Sequence, residues 1–194
     1  MRLFVLTRHG RSTFNDEGRI NGDPSVPAPL TAEGRAAAGQ LGRQLAQLPI
    51  DLCVHTRFPR TRETGDRILD GRDVPRLELP LLDDIDVGDL EGETVDTYHA
   101  WKRAHPSRDE PFPGGESLDD AARRYARGFQ ALLERPERTI LVVCHEIPVR
   151  YALNAAAGSD ELDGPEHSIP NATPYLFDGE SLARAAARIE TLAG

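Results

Sequence analysis

Cysteine is scarce in this sequence, and so are long apolar runs. Its 194 residues include two cysteines, Cys53 and Cys144, each inside an apolar stretch. Two cysteines do not make the disulfide framework of a small secreted domain, so we expect both to be buried free thiols. The first apolar run, residues 3–6, is shorter than the core of a signal peptide and far shorter than a membrane span. We therefore expect a cytoplasmic protein that does not enter a membrane.

The sequence also has no excess of basic residues. Acidic side chains outnumber basic ones by 32 to 23, which gives a formal net charge of −9. This balance disfavours a general surface for nucleic acid or anionic lipid, and it makes any local cluster of Arg and His informative. The length and the 39% of hydrophobic residues are typical of a globular protein with one core. We expect residues 1–194 to form a single domain.

Three short segments that resemble buried strands run into polar or basic side chains. Residues 3–6 lead to Arg8 and His9, residues 139–144 lead to His145, and residues 51–55 lead to a group of arginines that includes Arg60. In a parallel sheet these strand ends lie at one edge, where ligands bind. Taken alone, His9 is better explained as a polar strand end, and the arginines fit a solvated face as well as a phosphate site. Together they predict a compact cationic pocket, for which phosphate is the obvious anion.

An acidic segment follows the second of these strands. Residues 81–92 carry five carboxylates interleaved with apolar side chains. A carboxyl group held among apolar neighbours can have a raised pKa, which suits a proton donor near neutral pH. The simpler interpretation is an acidic surface turn, and composition alone does not choose between the two.

Helix signals separate the predicted strands. Thr31 is a good N-cap for a helix that Pro49 would end, and Ser117 begins a pattern typical of a capping box. Residues 172–177 resemble an edge strand, whereas the alanine-rich residues 182–192 fit either a helix or a strand. Helical spacing or end signals predict helices at residues 31–48, 59–69, 94–105, 118–135 and 147–157.

The ordered motifs of the chain resemble those of one known family. They are Arg8-His9-Gly10 with Ser12 and Asn15, residues 29–31 with Gly34, residues 56–64, residues 82–88 with Glu91 and Gly92, residues 113–117, and the strand that ends in His145. In this order they resemble the histidine phosphatase superfamily of phosphoglycerate-mutase-like proteins, and its small phosphatases in particular. The resemblance covers nearly the whole chain. Several motifs in sequence are far more specific than any one of them.

The resemblance implies a three-layer α/β/α sandwich with a mostly parallel central sheet, and it implies a final strand for the ambiguous residues 182–192. It also implies a phosphomonoester hydrolase that needs no metal and no cofactor. His9 would be the nucleophile that forms a phosphohistidine, and Asp84 would protonate the leaving group. The phosphate would be held by Arg8, Arg60, Asn15 and His145.

The substrate is expected to be a small phosphorylated metabolite. We expect Asn21 and Gly22 to contact it, and residues 91–115 to form a cap over the site. Within that cap, Tyr98, Trp101 and Phe112 are candidates for contact with the organic part of the substrate, although packing explains each of them equally well. The sequence leaves open whether the protein is a monomer or a homodimer.

The chain departs from the family pattern at three positions. The acid position holds Asp84 where the family usually has glutamate, with Asp83 and Asp86 as competitors for that role. Glu146 follows the second histidine where glycine is usual, and Arg11 replaces the usual acidic or amide residue. We hypothesise that Arg11 and Glu146 pair across the site.

Other functions remain open at this point. The runner-up is a phosphotransferase of the phosphoglycerate-mutase type, although the mutases of the family are generally longer. A pseudo-enzyme that binds phosphorylated ligands without turnover is a third reading. A metal site built from His9, His145 and a carboxylate is disfavoured because Arg8 would repel the cation.

Overall fold

The computed structural model describes residues 2–194, and a five-stranded sheet forms its centre. The strands, in spatial order, are β3 (Arg76–Glu78), β2 (Leu52–His55), β4 (Thr139–Cys144), β1 (Leu3–Arg8) and β5 (Pro174–Asp178). The first four strands in this order are parallel to one another, whereas β5 pairs antiparallel with β1. The predicted, mostly parallel sheet is confirmed.

The two inner strands carry the site residues to one edge. Every residue of β4 is buried, and β1 is buried except at its two ends. They run in register with Arg8 opposite Cys144, and the His9 N–H continues the ladder by donating to the Cys144 carbonyl at 3.0 Å. His9 and His145 therefore leave the sheet side by side.

Helices cover both faces of the sheet within the described residues. The helices are α1 (Thr13–Glu17), α2 (Ala32–Gln44), α3 (Pro59–Ile68), α4 (Val95–Ala104), α5 (Leu118–Leu133), α6 (Glu146–Ala156) and α7 (Gly179–Leu192). Alternate strand side chains point to opposite faces, so Phe4 and Leu6 belong to the core against α5, α6 and α7, while Val5 and Cys53 belong to the core against α2 and α3. This arrangement confirms the three-layer α/β/α sandwich.

The predicted helix starts are observed. Thr31 caps α2 by accepting a hydrogen bond from the Gly34 N–H at 3.0 Å. Ser117 and Asp120 form the predicted capping box of α5. α2 ends at Gln44, earlier than the expected stop at Pro49, and the guanidinium of Arg72 donates to the carbonyls of Leu45 and Leu48 that follow it.

The C-terminal segment corrects one expectation. The family analogy favoured a final strand for residues 182–192, but this segment is the helix α7. Leu182, Ala185, Ala186 and Ile189 are spaced as one helical face, and each is buried. That face packs on α5 and α6, and the sheet already ends at the predicted edge strand β5.

Two further observations concern composition. Cys53 and Cys144 are buried free thiols, as predicted, and burial raises the pKa of each to about 12. Among the helices of residues 2–194, none combines the length and the apolarity that crossing a membrane would require.

Candidate active site

The carboxyl ends of β1, β2 and β4 open onto a cavity of about 470 Å³. His9 follows β1, His145 follows β4, and Arg60 lies in the first turn of α3, just after β2. The rings of His9 and His145 are 5.4 Å apart and meet edge to face. The structure thus brings together the two imidazoles and the arginine that the sequence placed at this edge.

Arg60 connects the charged groups at the base of the cavity. Its buried guanidinium donates from Nε to His9 Nε2 at 3.0 Å. Its Nη2 lies 3.2 Å from Asp84 Oδ2 and 3.3 Å from His145 Nδ1. Asn21 anchors the outer nitrogens, through its side-chain oxygen and through its carbonyl at 3.1 Å from Nη2. A planar fork held at so many points is well suited to present its donors to phosphate oxygens.

His9 is oriented as a neutral nucleophile. Its Nδ1 lies 2.7 Å from the Gly10 carbonyl, so Nδ1 carries the proton that this carbonyl accepts, and Nε2 keeps its lone pair. Burial lowers the pKa of His9 well below its usual range, and the positive charge of Arg60 lowers it further, with smaller effects from His145 and Arg8. At neutral pH the unprotonated Nε2 therefore faces the cavity.

The Nδ1 atom of His145 faces Arg60 and Asp84, and its Nε2 atom is held by a hydroxyl. Its Nε2 lies 2.9 Å from Thr56 Oγ1, and the ring of Phe58 packs edge-on at 4.6 Å. The ring is completely buried. Burial lowers the pKa of His145, although the facing carboxylate of Asp84 opposes that effect. His145 can donate from Nδ1 either as the neutral ring, with Nε2 accepting from the Thr56 hydroxyl, or as the imidazolium that a nearby negative charge favours.

Asp84 is the carboxylate of the acidic segment that reaches the histidines. Its Oδ2 lies 3.3 Å from His145 Nδ1. Although burial opposes its ionisation, the charges and donors of His145 and Arg60 hold the pKa of Asp84 well below its usual range. Of its competitors, the buried Asp83 accepts hydrogen bonds from the backbone and side chain of Arg57, while Asp86 is exposed and caps a turn.

Arg8 reaches the cavity, and it pairs with the carboxylate that was hypothesised to pair with Arg11. Arg8 Nη1 lies 2.6 Å from Glu146 Oε2 and donates to the Ile169 carbonyl at 2.8 Å. Arg11 instead pairs with Asp16 in α1. The hypothesised pair of Arg11 and Glu146 is therefore wrong. The exposed side chain of Arg11 is held by Asp16 of α1, while Glu146 is the first residue of α6 and contacts Arg8.

The loop after α1 contributes to the site mainly because Asn21 holds the guanidinium of Arg60. Asn15 lines the cavity, and its side chain completes the N-terminal cap of α1. Asn21 also lines the cavity, but its side-chain amide is hydrogen-bonded to Arg60 and to Glu91 Oε1, the latter at 2.8 Å. Gly22 is not among the lining residues, and its N–H donates to Glu91 Oε2 at 2.6 Å.

The segment predicted to be a cap contains α4, which forms one wall of the cavity. Tyr98 lines the cavity, whereas Phe112 is buried behind it and packs against both Tyr98 and Trp101. Trp101 stacks on His105 and does not line the cavity. Of the three aromatic candidates, Tyr98 alone is placed to touch a ligand.

Some supporting residues could not be recognised from their own chemistry. Asn171 donates to the His9 carbonyl at 2.8 Å, from a loop far along the chain. Thr64 accepts a hydrogen bond from the Gly10 N–H at 2.9 Å. Thr64 and Thr56 lie within the arginine motif and could have been suspected for that reason, but nothing in the sequence around Asn171 points to the site.

Comparison with known proteins identifies the family. The family model described as histidine phosphatase superfamily (branch 1) matches residues 4–191. The chain belongs to the histidine phosphatase superfamily. The predicted family is confirmed.

Individual members of the superfamily are similar over most of their length. A 2,3-bisphosphoglycerate-dependent phosphoglycerate mutase 2 from Gloeobacter violaceus is 34% identical over 199 residues, which is 92% of this chain and 88% of that protein. The structure of YhfR from Bacillus stearothermophilus is 26% identical with a TM-score of 0.80 and covers 91% of this chain and 90% of its own. Alpha-ribazole phosphatase from Shigella flexneri shares the fold, with a TM-score of 0.79 at 24% identity and coverage of 91% and 90%.

Proposed function

We propose that this member of the superfamily is a metal-independent phosphomonoester phosphatase that works through a phosphohistidine at His9. One observation carries the proposal. His9 presents an unprotonated Nε2 to a cavity that Arg8 and Arg60 also line, with His145 buried directly behind it. A neutral imidazole among permanent cations is a competent nucleophile toward phosphorus, since the cations attract the phosphate and also keep the imidazole unprotonated.

In the first half-reaction His9 Nε2 attacks phosphorus in line with the leaving oxygen. Arg60 turns its Nε donor from His9 to a phosphoryl oxygen, and Arg8 holds another. His145 donates to a third oxygen once the phosphate dianion favours its protonated form. Catalysis of this kind is largely positioning and charge stabilisation, and removing one such donor costs about 10²- to 10³-fold in rate.

Asp84 is proposed as the acid and base of the reaction. In the free site the positive neighbours keep it ionised. A phosphate dianion bound next to it satisfies Arg60 and His145, so the carboxyl gains a proton on substrate binding. Asp84 then protonates the leaving alkoxide, and in the second half-reaction it takes a proton from the water that attacks the phosphohistidine.

The open mouth of the cavity favours water as the acceptor of the phosphoryl group from His9. The lining includes the exposed side chains of Val95, His99 and His167. Water therefore has access to the phosphohistidine once the alcohol leaves.

The similarity to a phosphoglycerate mutase supports a second candidate function, a mutase primed by a bisphosphate. Because this chain matches 88% of the length of that relative, chain length does not distinguish a phosphatase from a mutase here.

The experiment measures phosphate release from 4-nitrophenyl phosphate by the wild type and by His9→Ala, with and without a chelator. The account predicts turnover by the wild type that the chelator does not change, and none by a folded His9→Ala. Loss of activity in the chelator would contradict metal-independent chemistry. Interconversion of 2- and 3-phosphoglycerate that requires 2,3-bisphosphoglycerate, without net phosphate release, would favour the mutase. Phosphate binding without either reaction would indicate a pseudo-enzyme.

A further inference from the structure

A carboxylate lines the cavity in which we propose that phosphate binds. Glu146 is the first residue of α6 and follows His145 directly. Its side chain is 29% exposed and lines the cavity together with Arg8. A carboxylate repels a phosphate dianion that binds close to it. Glu146 therefore weakens phosphate binding unless its contacts do something else for the site.

The contact of Glu146 with Arg8 involves one nitrogen of the guanidinium. Arg8 Nη1 lies 2.6 Å from Glu146 Oε2 and donates to the Ile169 carbonyl at 2.8 Å. Nη1 carries two hydrogen atoms, so these two acceptors use both of them. Among residues 2–194, neither Nε nor Nη2 of Arg8 has a hydrogen-bond partner, and Nε is buried. One edge of the guanidinium is therefore fixed, and the other edge keeps unused donors.

The unused edge of Arg8 suits an oxyanion. The Nε–H and Nη2–H bonds of an arginine point the same way and can donate to two oxygens of one phosphate. A phosphate can take this edge while Nη1 keeps both of its acceptors. Binding of phosphate therefore does not require Glu146 to leave Arg8.

Further ion pairs hold Glu146 in turn. Its Oε1 lies 3.4 Å from Nη1 of Arg150, one helical turn later. Arg150 is itself fixed, because it donates to Asp163 Oδ1 at 2.9 Å and to the His167 carbonyl at 3.1 Å. The two oxygens of Glu146 thus face two different arginines. Positive charge on both sides compensates the carboxylate and reduces its repulsion of an incoming phosphate.

We propose that Glu146 is a positioning residue for Arg8. It fixes Nη1 so that the edge formed by Nε and Nη2 addresses the phosphoryl group at His9, and it acts through the reach of its side chain rather than through its charge. A glycine, which is usual at this position in the family, has no side chain with which to do so. The inference rests on the proposed function, because it assumes that a phosphoryl group binds at His9.

Two substitutions separate the reach of Glu146 from its charge. Glu146→Asp keeps the charge but withdraws the carboxylate by one methylene, whereas Glu146→Gln removes the charge but keeps an oxygen at the same reach. The first readout is kcat/KM for 4-nitrophenyl phosphate, and the second is the Kd of inorganic phosphate from calorimetry, which needs no turnover. Glu180→Asp is the matched control, because Glu180 also lies in the first turn of a helix and pairs with the arginine four residues later.

Glu146→Asp should lower kcat/KM and weaken phosphate binding, each by about tenfold, since one charge-assisted hydrogen bond to Arg8 is impaired. Glu146→Gln should stay within about threefold of the wild type, because a neutral acceptor still holds Nη1. Glu180→Asp should change neither quantity. In the Arg8→Ala background, Glu146→Asp should have no further effect on kcat/KM, because the charge is kept and the group to be positioned is gone.

Unchanged values in Glu146→Asp would overturn the proposal. A loss of the same size in Glu146→Gln would also overturn it, as would a loss in Glu146→Asp that persists in full in the Arg8→Ala background. Phosphate binding without turnover would count against the proposed phosphatase alone, since the Kd of phosphate still decides the role of Glu146. Failure of the wild type to bind phosphate would count against both proposals.

Discussion

Replacing Arg60 with methionine should raise the pKa of His9. Methionine matches the length of the arginine stem but removes a charge whose Nε lies 3.0 Å from His9 Nε2. Two unit charges at about 4 Å repel by about 4 kcal/mol at an effective dielectric constant of about 20. That repulsion disfavours the protonated imidazole in the wild type. Burial still lowers the pKa in the variant, so we expect a rise toward the usual value rather than full recovery.

The assay is an NMR titration of the six histidines, with the His9 signal assigned from its loss in His9→Ala. Arg60→Lys is the matched control, because lysine keeps the charge but not the fork. The lysine variant should keep the low pKa of His9 and still lose phosphatase rate, by about 10²- to 10³-fold for a lost donor. An unchanged pKa in Arg60→Met, or an equal rise in both variants, would refute this account of how His9 stays neutral.

The lowered pKa of His9 should also make the free energy of unfolding depend on pH. Because the pKa of His9 is lower in the folded chain than in the unfolded one, the unfolded chain takes up a proton first as the pH falls below about 6.5. The free energy of unfolding should therefore decrease below that pH. Urea titrations should show that the free energy of unfolding decreases less steeply in Arg60→Met, because the pKa values of His9 in the folded and unfolded chains lie closer together in that variant. The same slope in both proteins would contradict this linkage.

Other predictions concern the acid and the packing beside the site. In single-turnover measurements, Asp84→Asn should slow transfer of the phosphoryl group from alkyl phosphates to His9 by about 10²- to 10⁴-fold but affect transfer from 4-nitrophenyl phosphate little, since nitrophenolate leaves without a proton, whereas hydrolysis of the phosphohistidine should slow for both substrates. The exposed Asp86→Asn is the control, and equal losses in the transfer step for both substrates would exclude Asp84 as the acid. Gly34→Ala should cost about 1–3 kcal/mol in urea unfolding, because its Cβ would come 2.1 Å from the Arg11 carbonyl oxygen. Gly39→Ala, on the same helix with no atom nearer than 3.9 Å, should instead stabilise the fold by up to about 1 kcal/mol, and similar effects at the two glycines would count against the observed contact.

The grouping of His9, His145 and Arg60 at one edge of the sheet could be predicted because it depends on local rules. Parallel strands end at one edge, and the polar residues after β1, β2 and β4 are adjacent in sequence to apolar runs that must be buried. His9, His145 and Arg60 needed no knowledge of distant contacts. Asp84 was separable from Asp83 and Asp86 only through the family motif, since all three lie in one irregular segment.

Side-chain partners across the site could not be predicted in the same way. Glu146 pairs with Arg8 and Arg150 rather than Arg11 because the start of α6 sets its direction, and no pattern in the sequence encodes that direction. Asn171 supports His9 through a loop whose course is fixed only by tertiary packing. The alanine-rich α7 was ambiguous for a related reason, since its face is defined by what α5 and α6 leave uncovered.

The most direct test of the account is to look for the covalent intermediate. The wild type, His9→Ala and His145→Ala are mixed with a ³²P-labelled phosphomonoester and quenched within milliseconds in alkali, and the labelled peptide is sequenced. The account predicts a label on His9 that is stable in alkali, lost in acid and absent from His9→Ala. A hydrolytically active wild type with no label on His9, or with a label on another residue, would contradict the central claim.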